Sequence, residues 1–117
     1  LSADNAHAIH PNHPELSDNK NKCLINKGVV IKHNANMLYT SDALSTSFAK
    51  ELCEGNNIAY QEFFNRSDLS VDIGLPQLAM HSNFEVIGSK DVTHLFNLTK
   101  SFMEKSFELN DASIKLF

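Results

Sequence analysis

The sequence predicts an α/β fold in which helices pack on a mostly parallel sheet. Three observations carry that expectation. Two segments place apolar residues at helical spacing. Short runs of β-branched and aromatic residues lie before and between them. The resulting order is strand, helix, strand, strand, helix, an alternation that builds such layers. The chain has 117 residues, 42% hydrophobic and 21% charged. That is the length of one ordinary domain with one modest core.

The segment from Leu1 to Pro14 holds three of the six histidines and two of the three prolines. Pro11 and Pro14 exclude a regular helix there, because each lacks an N–H and restrains the residue before it. Glu15 to Asn26 is polar and reads as an exposed loop. Gly28-Val29-Val30-Ile31-Lys32 predicts a short β-branched strand. Ser41 to Glu54 predicts a helix. Thr40 or Ser41 can cap it, and Asp42 stands in the first turn, where the helix dipole favours an acid. Leu44, Phe48 and Leu52 form one apolar face. Gly55 is expected to close the helix with a positive φ. Ile58 to Phe64 and Val71 to Ile73 predict two further strands. Ser89 is expected to cap a long helix running to about Phe107. Its Val92, Leu95, Phe96, Phe102, Met103 and Phe107 should face the sheet. Glu108 to Phe117 carries no clear signal.

Net charge is -4 with His neutral, and Lys and Arg are scattered. Without a basic stripe, a nucleic-acid partner is not expected. No apolar run approaches the roughly 18 residues of a membrane span, so no membrane partner is expected either. No charged segment followed by an apolar one marks a secretion signal. Cys23 and Cys53 are the only cysteines. They lack the paired spacing of a thiolate zinc site. They read as free thiols in a reducing compartment, which points to a cytoplasmic location.

Asp4, His7, His10 and His13 fall at steps of three. Zinc takes nitrogen and oxygen ligands, usually four in a closed site and three plus water in a catalytic one. A local metal site is therefore one reading of this string. The other is a set of loop histidines, since on irregular backbone the four need not converge. Taken alone, His81 reads as a half-buried, hydrogen-bonded histidine.

Longer words in the sequence sharpen the choice. Ser2-Ala3-Asp4-Asn5-Ala6-His7-Ala8-Ile9-His10-Pro11-Asn12-His13-Pro14 resembles a segment of the aspartyl aminopeptidases, a family of dinuclear zinc metallopeptidases. Asn26-Lys27-Gly28-Val29-Val30-Ile31-Lys32 is similar to a family strand. Asn34-Ala35-Asn36 and Tyr39-Thr40-Ser41-Asp42-Ala43 follow in order. Gln61-Glu62-Phe63-Phe64-Asn65-Arg66-Ser67-Asp68 and Asp72-Ile73-Gly74-Leu75-Pro76-Gln77-Leu78-Ala79-Met80-His81-Ser82 continue the match.

The resemblance implies a three-layer fold of helix, mostly parallel sheet and helix, of the zinc-dependent exopeptidase type. Residues 1–117 would be the C-terminal portion of the catalytic domain, a partial domain. It implies two divalent metal ions at the C-terminal edge of the sheet, zinc first, with cobalt or manganese as alternatives. Asp4 would bind one ion and His81 the other. His7 would be catalytic, facing the scissile carbonyl and stabilising its developing charge. Lys32 and Tyr39 would line the pocket for the substrate's N-terminal side chain. The Lys32 ammonium would match an acidic group there. His10 and His13 are then loop residues, and His33 and His94 have no assigned role.

The implied reaction removes an N-terminal Asp or Glu from a peptide by activated water. The full-length enzyme would be a homo-oligomer. The remaining metal ligands and the catalytic Glu stand in none of these words, so this portion alone is expected to be inactive. A glycine-rich stretch of the family is missing between 69 and 71, where a segment is expected to have been omitted. The alternative is a non-catalytic, degenerate member acting as a binding or assembly module.

Overall fold

The computed structural model describes residues 1–16, 22–34, 41–65, 72–110 and 113–117. Strand β1 (Ser2–Ala3) runs through Asp4 and Asn5 into β2 (Ala6–His7), and a single 3-10 turn follows at Pro14–Leu16. The central strand is β3 (Val29–Asn34). It pairs in parallel with β4 (Tyr60–Asn65) and antiparallel with β5 (Asp72–Gly74). β5 pairs in parallel with β1, so the four-stranded order is β1-β5-β3-β4. Beyond Leu75 the chain continues as β6 (Pro76–Leu78), which pairs in parallel with β2. β7 (Val86–Ile87) adds to β6 antiparallel. Parallel pairing thus recurs at β1–β5, β2–β6 and β3–β4, with an antiparallel seam where β5 meets β3.

The predicted strands form with shifted ends. β3 starts after Gly28, whose φ of 105° belongs to a region that glycine tolerates best. A Cβ at that position would also collide with the Ala59 carbonyl. β4 starts at Tyr60 rather than Ile58. Val71 lies outside the described residues, and the strand after it is Asp72–Gly74.

Helix α1 (Ser41–Gly55) occupies the predicted span. Its Phe48 and Leu52 are buried against β3, as their spacing predicts. Its closure differs from expectation, because Gly55 stays helical and Asn57 takes the left-handed conformation at φ 54°. Asparagine tolerates that region. The Asn56 side-chain amide donates to the Leu52 carbonyl at 2.7 Å, and the Ile58 N–H donates to the Cys53 carbonyl at 2.8 Å. These bonds satisfy carbonyls that a helix end leaves open.

Helix α2 (Ser89–Glu104) is shorter than predicted, and its N-cap is Gly88 rather than Ser89. Asn26, far away in sequence, supplies the capping group instead: its Oδ1 accepts the Lys90 N–H at 3.1 Å. The inward face also differs from expectation. Val92, Phe96 and Met103 are exposed, whereas Asp91 and Leu98 are the buried residues, with Leu95 and Phe102 packed beside Leu98's cluster. Apolar residues extend around much of this helix, so periodicity alone does not choose its rotation. The choice falls to Asp91. Its carboxylate accepts the Asn26 N–H at 2.6 Å and the Gly28 N–H at 2.8 Å.

After Glu104 the backbone turns extended at Lys105, with φ −93° and ψ 135°. Phe107 therefore begins a strand, β8 (Phe107–Asn110), paired antiparallel with β9 (Ser113–Leu116). The Phe107 ring centroid lies 5.2 Å from Phe48 and 6.1 Å from Phe102, which seats the hairpin beside both helices. The alternation of Phe107 and Leu109, then Ile114 and Leu116, is the two-strand signal that the sequence reading missed.

Both helices contact β3 and each other. One core cluster joins Val29 and Ile31 to Leu52, Ile73 and Leu98. Val30 belongs to a separate, smaller cluster with Ala6 and Cys23. Successive strand residues point to opposite faces, so the helices cover one face and the small cluster lies on the other. The described residues form the sheet and one helix layer of a partial α/β domain. Among them, no helix is long and apolar enough to cross a membrane.

Candidate functional site

The site begins at an interruption in the parallel ladder. Asp4 and Asn5 separate β1 from β2, opposite the point where Leu75 separates β5 from β6. Backbone bonds still cross the gap. Asp4 N–H donates to the Ile73 carbonyl at 2.9 Å, Ala6 N–H to Leu75 at 3.0 Å, and Ala8 N–H to Gln77 at 2.8 Å. The Asn5 side chain completes the pairing. Its Oδ1 accepts the Leu75 N–H at 3.1 Å, and its Nδ2 donates to Oε1 of buried Gln77 at 2.6 Å. Gly74 makes the close approach possible, since a Cβ there would overlap the Asp4 carbonyl and the Asn5 Cα. The Asp4 side chain is left 79% exposed.

Lys32 lies directly opposite Asp72 in the antiparallel β3–β5 pair. Directly opposed residues share a sheet face. The Lys32 Nζ lies 2.8 Å from Asp72 Oδ2 and 3.5 Å from Asp4 Oδ2. Lys32 is only 8% exposed. An ammonium so enclosed is costly unless paired, and Asp72, at 24% exposure, is its shorter partner. The other Asp72 oxygen, Oδ1, is buried without a hydrogen-bond partner among the described residues.

Burial pushes the Cys23 thiol up to about 11, with the Lys32 charge pulling the other way. Cys53 is pushed to about 11 for the same first reason, with Glu54 adding to it. Both are free thiols, and neither carries appreciable thiolate near neutral pH, so neither is built as a nucleophile.

His7 is exposed on β2, across from Gln77. His81 follows three residues after β6. It is exposed and occupies a turn closed by the Ser82 N–H donating to the Ala79 carbonyl at 3.0 Å. Its φ is 67°, a left-handed conformation uncommon outside glycine but enriched in histidine. Glu85 Oε1 accepts the His81 N–H at 2.6 Å and holds that conformation. β2 and β6 run parallel, so His81 leaves the sheet at the end toward which β2 delivers His7. Tyr39 lies outside the described residues. His10 and His13 are exposed, with ring centroids 5.5 Å apart. His10 Nδ1 accepts the Asn12 N–H at 3.2 Å, and His13 pairs with Glu15 at 3.1 Å. His33 pairs with Glu62 at 2.8 Å across β3–β4, and His94 is half-buried.

The exposed carboxylate of Asp4 and the exposed imidazoles of His7 and His81 are donors of the kinds that zinc takes. Among the described residues, no three His, Cys, Asp or Glu side chains stand together as a metal-holding group. The donor chemistry of Asp4 and His81 fits zinc. The structure brings Lys32 to Asp4, and it adds three residues that the sequence reading missed. Asn5 and Gly74 shape the backbone around Asp4, and Asp72 holds Lys32. An Asn between two strand pieces, a residue type depleted in strands, is the one signal that marks Asn5. Nothing local marks Asp72, whose partner lies 40 residues earlier.

Parallel strands with acidic and imidazole side chains at their ends define the class: part of an α/β domain that carries donors of the kinds zinc takes at one sheet edge. The mApe1 dodecamer of S. cerevisiae contains this architecture, with a TM-score of 0.76 and 27% identity over 88% of this chain and 26% of that one. The profile of the aminopeptidase I zinc metalloprotease (M18) family matches residues 1–70. The probable M18 family aminopeptidase 2 of Stutzerimonas stutzeri is 38% identical over 119 residues, covering 87% of this chain and 28% of the relative. The aspartyl aminopeptidase of Dictyostelium discoideum is 37% identical over 127 residues, covering 94% of this chain and 26% of the relative. The chain belongs to the M18 family of zinc metalloproteases, and it spans about a quarter of the length of these relatives.

Proposed function

We propose that the full-length protein is a zinc aminopeptidase that removes an N-terminal Asp or Glu from peptides. The observation that carries this reading is the exposed Asp4 carboxylate, held at the ladder break and approached at 3.5 Å by the enclosed Lys32 ammonium. Membership of a zinc metalloprotease family supports zinc, and the similarity to an aspartyl aminopeptidase supports acidic substrates. Asp4 and His81 are ligands to a pair of divalent ions, one each. Bound zinc supplies Lewis acidity, which polarises a carbonyl and makes water a stronger acid. His7 donates a hydrogen bond to the oxygen of the scissile carbonyl as charge builds there. Lys32 and Tyr39 line the pocket for the first side chain, where the ammonium favours a carboxylate.

Residues 1–117 are the C-terminal portion of the catalytic domain, with a glycine-rich segment omitted between 69 and 71. The alignment with the Dictyostelium relative spans 127 positions, more than the whole of this 117-residue chain, which supports an omission. The dodecamer of the yeast relative supports a homo-oligomer. The free, buried thiols support a reducing, cytoplasmic setting. The test is the full-length protein loaded with zinc or cobalt and assayed on Asp-linked and Leu-linked chromogenic substrates. Faster turnover of the Asp-linked substrate is expected. Equal rates would remove the acidic pocket, and no turnover of either would remove the peptidase.

A further inference from the structure

We propose that Asp72 is a positioning residue that holds the Lys32 ammonium away from Asp4, keeping the Asp4 carboxylate available to a metal ion. The inference rests on the reading of Asp4 as a metal ligand, and it concerns what guards that ligand.

An ammonium and a metal cation compete for the same carboxylate. Lys32 stands within ion-pair reach of Asp4, at 3.5 Å, but is bound more closely by Asp72, at 2.8 Å. The register of the β3–β5 ladder sets that preference, because it places Asp72 directly across from Lys32. Exposure adds to it. Asp72 is 24% exposed and Asp4 79%, so the Asp72 charge is less screened by water. Nor is Asp72 satisfied elsewhere among the described residues, since its Oδ1 has no hydrogen-bond partner there. Lys32 is too enclosed to shed its counter-charge into solvent. Without the charge on Asp72, the carboxylate left to it among the described residues is Asp4. The ammonium would then close on the oxygen that a metal needs.

The test is zinc affinity, measured by competition with a chromophoric chelator on full-length protein freed of metal. Substitution of a residue that supports a metal ligand typically lowers affinity by about 10- to 100-fold, and Asp72→Asn, which keeps the shape and removes the charge, is expected to do so here. Lys32→Met is expected to bind zinc at least as tightly as the parent protein. Adding Lys32→Met to Asp72→Asn is expected to restore affinity to within about threefold of Lys32→Met alone, as removal of the competitor requires. A merely structural defect at Asp72 would not be repaired by removing Lys32. Asp72→Glu keeps the carboxylate and should retain most of the affinity, which covers a failure of the Asn variant to fold. The proposal is overturned if Asp72→Asn binds zinc as the parent does, if the double variant stays weak, or if Lys32→Met itself loses zinc. Asp4→Asn separates this outcome from the underlying reading. If it keeps full zinc affinity, Asp4 is no ligand and both readings fail. If it loses zinc while Asp72→Asn does not, the ligand stands and the guard falls.

Discussion

The two faces of β3 do different work with adjacent residues. Val29 and Ile31 point into the cluster beneath both helices and are fully buried among aliphatic and aromatic neighbours. Val30 and Lys32 point the other way, into a small cluster and a charged site. One face is closed by area burial, which is non-directional and tolerates variation in detail. The other adds hydrogen bonds and charge pairing to a smaller apolar cluster, and these depend on register and distance. The strand's twofold periodicity lets six residues serve both. The core face holds β3 in place, and the site face uses that rigidity to aim Lys32.

Truncation on the core face should break the contrast most strongly. Replacing Ile31 with Ala should cost about 2–5 kcal/mol of stability, as for other buried large-to-small changes. Urea denaturation of the full-length protein measures it, and a loss well below about 2 kcal/mol, the floor of that class, would mean the helices do not rest on β3. Gly74→Ala attacks the site face through the backbone. The added methyl meets the Asp4 carbonyl, so a cost of about 1–3 kcal/mol is expected. Zinc affinity should fall with it, since Asp4 must shift. Asp91→Ala strands the amides of Asn26 and Gly28, with an expected cost of about 1–3 kcal/mol. Hydrogen exchange at those two amides should rise.

The buried thiols sharpen the contrast through pH. Both have their acidity reduced by the fold, from 9.0 to about 11. The unfolded chain therefore loses these protons first. The stability that the thiols lend is complete below pH 9 and is lost as pH rises toward 11. The urea midpoint should fall across that range, and by less in Cys53→Ala. The smallest effect belongs outside both faces. Phe96 is 66% exposed on α2, so Phe96→Ser should change stability by no more than about 0.5 kcal/mol. A larger loss by thermal melting would place Phe96 against a part of the protein beyond these elements.

Much of this was legible in the residues. β-Branched runs and helical spacing mark β3, β4, α1 and α2, and the words around Asp4, Lys32 and His81 carry the family resemblance. The ends were less legible. Gly55 looked like the natural stop for α1, but Asn57 could take the left-handed turn and had Asn56 beside it to bond the Leu52 carbonyl. Val92, Phe96 and Met103 looked like an inward stripe, and the rotation of α2 went instead to the tie between Asp91 and the loop before β3. In the candidate site, Asp4 could be named from its word, whereas Asn5, Gly74 and Asp72 emerged only through partners distant in the chain.

By itself, the sequence determined which residues can be strand, helix, zinc donor or cation, because periodicity and side-chain chemistry are local properties. Tertiary structure alone decided which face of α2 is buried, where the parallel ladder breaks, and that Lys32 is shared between two carboxylates. Those outcomes depend on register and close approach between segments far apart in the chain, and no local pattern encodes such distances.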